Sequence, residues 1–219
     1  EAHAFLLRSI VDQCEGVVVK SLGAPYEPGR RADSWIKVKK DYVDSLADSF
    51  DVVPIGAWRG SGRKAQWLSP FLLAVHDPSS GELQSLCRCI SGFTDAFYKE
   101  ASERLLKTAI PAPPSYYVTG ESPSVWFEAS EVWEVRGAEL SLSPVHQAAA
   151  GLVGDRGLAL RFPRFLKVRE DKSIQDATTS EQVARLFRKQ ANRQAPRAAP
   201  GPQAKDGGDE DECSGGDED

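Results

Sequence analysis

Ser34-Trp35-Ile36-Lys37-Val38-Lys39-Lys40 alternates apolar and basic residues. Successive side chains of a strand point to opposite faces. Ile36 and Val38 then turn one way, into a core, while Trp35, Lys37 and Lys39 form a row on the other face. Two ammonium groups on one strand face repel unless an anion lies between or beside them. Two readings follow. The lysines protect an exposed edge strand against aggregation, or they form a rigid rack of point charges for phosphates. The rest of the chain decides between them by supplying, or failing to supply, the remainder of a phosphate site.

Upstream, Cys14-Glu15-Gly16-Val17-Val18-Val19-Lys20 carries three β-branched residues between charged ends, and predicts a strand. Glu15 stands at its mouth. A carboxylate there suits a hard cation such as Mg²⁺, which prefers oxygen ligands and keeps some water; the bland reading is a surface Glu at a strand end. Lys20 closes the strand. On a flat strand it faces away from Glu15, and only twist or a bend brings the two to one pocket. Ala2 to Gln13 predicts a short helix whose Leu7, Ile10 and Val11 pack on the sheet. Gly23, Pro25, Pro28 and Gly29 make 21–33 a loop.

Downstream, short strands are predicted at Asp51 to Trp58, Leu68 to His76 and Glu82 to Ser91. A Gly-rich basic turn (Gly60, Gly62, Arg63, Lys64) joins the first two, and Asp77-Pro78-Ser79-Ser80-Gly81 joins the next two as a hairpin. Thr94 to Lys107 predicts a helix with Thr94 as N-cap. Pro111, Pro113 and Pro114 then exclude regular structure. Further strands are predicted at Val132 to Leu140 and Leu158 to Val168, and a last helix at Thr178 to Gln190, opened by a capping box of Thr178 with Glu181 or Thr179 with Gln182. The fold class is mainly β with a few helices (α+β). About five strands and one inserted helix suit a Greek-key barrel of the OB type, with a sandwich as the competing architecture.

Arg161 to Lys172 (Arg-Phe-Pro-Arg-Phe-Leu-Lys-Val-Arg-Glu-Asp-Lys) holds five cations against two acids, with Phe162 and Phe165 interleaved. Basic residues neutralise phosphates, and an aromatic can stack or wedge against bases. An amphipathic strand with core phenylalanines is the alternative, with Phe165 the better core candidate.

The net charge of -5 over 219 residues misleads. Residues 195–219 carry eight acids and two bases, which leaves about +1 for residues 1–194. From about Ala191 the chain turns to Pro, Gly, Ala and acid, too poor in apolar surface to fold. Cys87 and Cys89 would share a strand face. With three His and no Cys-x-x-Cys, a zinc site is not expected, and the thiols read as a reduced set. No stretch is long and apolar enough to span a membrane, and no signal peptide opens the chain. The absence of Met, position 1 included, is expected of a piece of a longer protein.

Taken in order, Cys14 to Lys20, Ser34 to Lys40 and Arg161 to Lys172 resemble motifs IV, V and VI of the covalent nucleotidyltransferases. The third ends in the Arg-x-Asp-Lys of Arg169, Asp171 and Lys172. The likeness is nearest to eukaryotic ATP-dependent DNA ligases of the DNA ligase I type. Ser91-Gly92-Phe93-Thr94-Asp95, the run from Trp133 to Pro144, and Ala177-Thr178-Thr179-Ser180 agree with it. It covers residues 1 to about 190. Its specificity lies in ordered motifs at family spacing, which are far harder to meet by chance than any single one.

The resemblance implies a division. Residues 1–40 would end an adenylation domain, 41–190 would form an OB-fold domain with a hinge at Lys40-Asp41, and 191–219 would be a disordered acidic tail. It implies ATP and Mg²⁺: Glu15 on the metal, with Lys20, Lys37 and Lys39 on ATP or adenylate phosphates. Arg169 and Lys172 would orient the departing pyrophosphate when the OB domain closes. Nicked duplex DNA is the implied partner, met by Arg63, Arg88, Arg161 and Phe162, with Phe162 as a minor-groove wedge. DNA replication, repair and recombination in the nucleus are implied too, an organellar form being compatible. A monomer is expected, with no membrane partner and with protein partners bound through regions not present.

One departure is decisive. The nucleophilic lysine of such enzymes sits in Lys-x-Asp-Gly, and no such motif occurs; Lys205-Asp206-Gly207 has the wrong spacing and lies in the tail. The upstream acidic metal ligand and the DNA-encircling helical domain are also missing. This chain by itself is expected neither to adenylylate itself nor to seal a nick. Two other readings stand beside this one: an RNA ligase or mRNA capping guanylyltransferase, against which the segment from Trp133 to Pro144 argues, and a non-catalytic OB module that only binds nucleic acid.

Overall fold

A computed structural model describes residues 1–12, 14–30, 32–39 and 48–194, with 191–194 described by backbone alone. The expected hinge at Lys40-Asp41 and the tail from 195 onward lie outside the described residues. Twelve strands and three helices are found among those described, so the chain is mainly β with a few helices.

Helix α1 (Ala2–Val11) leads into strand β1 (Gly16–Lys20), which pairs antiparallel with β2 (Trp35–Lys39) as a two-stranded sheet. The helix was expected to bury Leu7, Ile10 and Val11. Leu6 is its buried residue, Ile10 is half-buried as expected, and Leu7 and Val11 are exposed. A short helix beside a two-stranded sheet can cover only one narrow stripe. The expected apolar face of β2 is also open: Ile36 is 55% exposed and Val38 half-buried. No third strand joins this sheet among the described residues.

The larger body is an eight-stranded sheet. Its main path runs β12 (Arg164–Val168), β9 (Trp133–Arg136), β3 (Ser49–Arg59), β4 (Leu68–Asp77), β5 (Glu82–Cys89) and β7 (Tyr117–Val118). Two short strands, β6 (Ala109–Ile110) and β8 (Val125–Phe127), attach through β8 to β3. All ladders on the path are antiparallel except β5 with β7. The two arms of the path meet at one isolated parallel bridge between Ser91 and Arg164, where the Phe165 N–H donates to the Ser91 carbonyl at 2.9 Å. No ladder closes the ring there. A separate antiparallel pair, β10 (Glu139–Ser143) with β11 (Gly157–Arg161), completes the strands. The runs read as single strands at Val132 to Leu140 and Leu158 to Val168 are thus each two strands, broken at Gly137-Ala138 and at Phe162-Pro163.

β3 and β4 are buried on both faces because alternate residues feed two clusters. Val52, Ala57, Phe71, Leu73 and Val75 join the larger one, and Val53, Ile55, Leu72 and Ala74 the smaller. Helix α2 (Asp95–Leu106) caps the larger cluster. Thr94 is its N-cap as expected, accepting from the Phe97 N–H at 3.1 Å. Phe71, Phe93, Phe97, Tyr98, Trp133 and Phe165 form an aromatic nest there, with Phe97 and Phe165 centroids 4.5 Å apart. Such pairs contribute about 0.5–1.5 kcal/mol each beyond burial. Phe165 is therefore core. Cys87 and Cys89 are buried on the same strand face, and burial pushes the Cys89 thiol up to about 11.

Helix α3 (Ser180–Gln194) opens with the Thr179–Gln182 capping box: the Thr179 N–H donates to Gln182 Oε1 at 2.8 Å and the Gln182 N–H to Thr179 Oγ1 at 3.2 Å. It runs past Ala191, where composition suggested the tail begins. Ala, Arg and Gln sustain a helix, and Pro196 is the first residue to oppose it.

Candidate functional site

The β1–β2 register decides which lysines act together. Gly16 pairs with Lys39, Val18 with Lys37 and Lys20 with Trp35. Cross-strand partners share a face, so Lys20 joins Trp35, Lys37 and Lys39 in one row. The Lys20 Nζ lies 4.1 Å from the centroid of the Trp35 ring. Glu15 reaches the same row and forms an ion pair with Lys39. The two strands approach closely at Gly16, where a Cβ would stand 2.2 Å from the Val38 carbonyl oxygen, a gap no side chain fits. Its hydrogen bond to Lys39 and that ammonium's charge, aided by Lys37 and Arg161, hold the Glu15 carboxyl below its usual range. The carboxylate is ionised and exposed. It offers a hard cation one ligand, which suits Mg²⁺ when water and phosphate oxygens supply the others. No group of three or more His, Cys, Asp or Glu gathers elsewhere among the described residues.

Phe162 stands next to this row. It occupies the turn between β11 and β12 with φ 53°, and the residue is 58% exposed. Lys39 Nζ lies 5.3 Å from the ring centroid and the Arg161 guanidinium 5.0 Å from it. Arg161 also pairs with Glu139. The structure thus brings Glu15, Lys39, Arg161 and Phe162 together, with Lys37 and Lys20 farther along the same strand pair.

Arg169 and Lys172 form a second group, centred on Asp51. Arg169 Nη1 donates to Asp51 Oδ1 at 2.9 Å and Lys172 Nζ to Asp51 Oδ2 at 2.7 Å. The other edge of the Arg169 guanidinium grips Asp171 through Nε at 2.8 Å and Nη2 at 2.7 Å. This fork holds the Asp171 carboxyl far below the usual carboxylate range and raises Arg169 further.

The remaining basic residues lie apart from both groups. Arg63 is exposed in a 3-10 turn (Gly62–Lys64), with Asp95 3.7 Å away. Its neighbour Lys64 is structural, donating to Tyr98 Oη at 2.6 Å and lying 4.2 Å from that ring's centroid. Arg88, on β5, forms an ion pair with the buried Glu121 and stacks 4.2 Å over Trp58. Asp51, Trp58, Glu121 and Glu139 were not singled out from sequence. Asp51 carried a signal, an acid between the apolar Phe50 and Val52. Glu121 carried none, since it follows Gly120 in an irregular segment.

The family described as the ATP dependent DNA ligase C terminal region matches residues 64–172, and that described as the ATP dependent DNA ligase domain matches residues 1–39. DNA ligase 6 of Arabidopsis thaliana is 50% identical over 195 residues, covering 87% of this chain and 14% of its own length. DNA ligase 1 of the same plant is 48% identical and DNA ligase 1 of Drosophila melanogaster 46%; each match covers 87% of this chain, and 25% and 26% of the relative. The chain thus spans 14% to 26% of the length of these relatives. The solved structure Pmar-Lig_PreS3 has the same fold over 77% of this chain and 30% of its own, with TM-score 0.51 at 22% identity. With ligase domains matched on both sides of residues 40–63 and the motif lysines inside them, the chain belongs to the ATP-dependent DNA ligase family, as part of its C-terminal portion.

Proposed function

We propose that this chain is the C-terminal catalytic part of an enzyme that seals nicks in duplex DNA by adenylyl transfer from ATP. The observation that carries the reading is the shared face of Lys20, Lys37 and Lys39 beside the ionised Glu15. In the first step a lysine amine outside this chain attacks the α-phosphorus of ATP. The bond to the β-phosphate oxygen breaks, pyrophosphate leaves and the amine gives up a proton. Charge builds on phosphate oxygens, and fixed cations stabilise it. Lys20, Lys37 and Lys39 hold the phosphates, and Arg169 and Lys172 orient the pyrophosphate once the OB domain closes. Glu15 would hold Mg²⁺, which supplies further neutralisation of phosphate charge. Arg63 and Arg88 meet the DNA backbone, and Arg161 and Phe162 lie against the nick, with Phe162 entering the minor groove.

On this reading residues 1–40 end the adenylation domain, and the OB domain runs from 41 through helix α3. The open face at Ile36 and Val38 is covered by the rest of the adenylation domain. The setting is nuclear DNA replication, repair and recombination, with the enzyme acting as a monomer.

Replacing Lys37 and Lys39 by Ala in the full-length protein tests the assignment. Covalent AMP labelling is expected to fall while duplex binding survives. Labelling that persists, with only salt-sensitive DNA affinity reduced, would make the chain a binding module.

A further inference from the structure

We propose that Asp51 is a positioning residue for self-adenylylation: its one carboxylate sets the spacing and direction of Arg169 and Lys172 before pyrophosphate departs. This rests on the role given above to those two cations.

Asp51 is held from every side. Its N–H donates to Thr178 Oγ1 at 2.8 Å, its carbonyl accepts from the Thr178 N–H at 2.7 Å, and it pairs with Glu134 across the β3–β9 ladder. Both neighbours on β3, Phe50 and Val52, are buried in the core. The carboxylate therefore projects from a point that cannot drift. Its two oxygens take one cation each, Arg169 Nη1 on Oδ1 and Lys172 Nζ on Oδ2.

Arg169 is fixed independently. Its N–H donates to the Val132 carbonyl at 2.7 Å, and Asp171 grips the opposite edge of its guanidinium. Lys172 follows one turn later, its N–H on the Arg169 carbonyl at 3.2 Å and its Nζ 3.4 Å from the Asp176 carbonyl. Without Asp51 two cations would stand side by side, repelling each other, and the flexible lysine stem would swing away. With it their separation is set in advance, and each keeps N–H donors for an incoming anion. The bonds above occupy three of the five Arg169 donors and two of the three on Lys172, and Glu134 Oε2 lies a further 3.8 Å from Arg169 Nη1. Such preorganisation accelerates a step in which charge moves onto a leaving group.

A purely architectural role for Asp51 predicts something else, namely equal harm to every step. The discriminating experiment uses the full-length protein with Asp51→Asn, Asp51→Ala, Arg169→Ala and Lys172→Ala. Three rates are read: covalent AMP labelling from ATP, discharge of the enzyme adenylate by pyrophosphate, and sealing of a nick that is already adenylylated. D51A is expected to slow labelling about tenfold or more beyond any effect on sealing, and to raise the KM for pyrophosphate in the discharge, with D51N between D51A and wild type. Labelling and sealing that fall in parallel would overturn the proposal. So would labelling that is unchanged or faster, the latter meaning that Asp51 competes with the phosphates. If R169A and K172A also label normally, the assignment of those two cations fails, a result distinct from failure of D51A alone.

Discussion

His146 is buried beside the ion pair that holds Arg88. Its Nε2 lies 3.8 Å from Glu121 Oε1 and its Nδ1 3.3 Å from Ser85 Oγ. Burial pushes its pKa down and the Arg88 charge adds to this, with Glu121 opposing. The folded state therefore resists the proton that the unfolded chain accepts near pH 6.5. Above that value both states are neutral and His146 carries no penalty. As pH falls below it the unfolded state binds the proton first, and stability is lost. Thermal unfolding between about pH 7.5 and 5.5 should show a larger drop in Tm for wild type than for H146Q. Equal drops would mean that His146 is solvated. The residue scale is also where sequence was least informative. Arg88 was readable as a basic residue, but its partner Glu121 lies 33 residues on, in a segment with no periodicity. Only the fold brings them together.

Among the elements, the junction of β5 with β12 depends on Gly92. Its φ is +91°, and a Cβ there would stand 2.2 Å from the Phe165 carbonyl oxygen and 2.6 Å from the Phe165 nitrogen, both backbone atoms that cannot yield. Gly92→Ala should cost about 1–3 kcal/mol through backbone strain and loss of this contact, read by urea unfolding. A variant as stable as wild type would show that the junction is loose. Elements with strong local signals were legible: β3 to β5 from their apolar runs, α2 from Thr94, and α3 from Thr179 with Gln182. The splits at Gly137 and at Pro163 had signals too, a glycine and a residue without an N–H, yet the flanking β-branched and aromatic residues masked them. Strands β6, β7 and β8 were not legible. They are two or three residues long, lie among prolines, and exist because β3 and β5 offer edges to pair with.

At the scale of the molecule, two groups of cations stand on two bodies. The β1–β2 row carries Lys20, Lys37 and Lys39, and the eight-stranded sheet carries Arg169 and Lys172 on Asp51. The sequence identified both basic blocks because each is contiguous. It also named Glu15 and Asp171, which lie beside those blocks, but not Asp51, which comes from the distant strand β3. On the proposed reading these bodies are parts of one ATP-dependent nick-sealing enzyme. The decisive experiment gives the full-length protein labelled ATP and then a nicked duplex, with labelled GTP as the comparison. A covalent AMP adduct from ATP, none from GTP, and transfer of the label to DNA as the nick closes are expected. An intact protein that forms no adduct with ATP, or that takes its label from GTP, would contradict that reading.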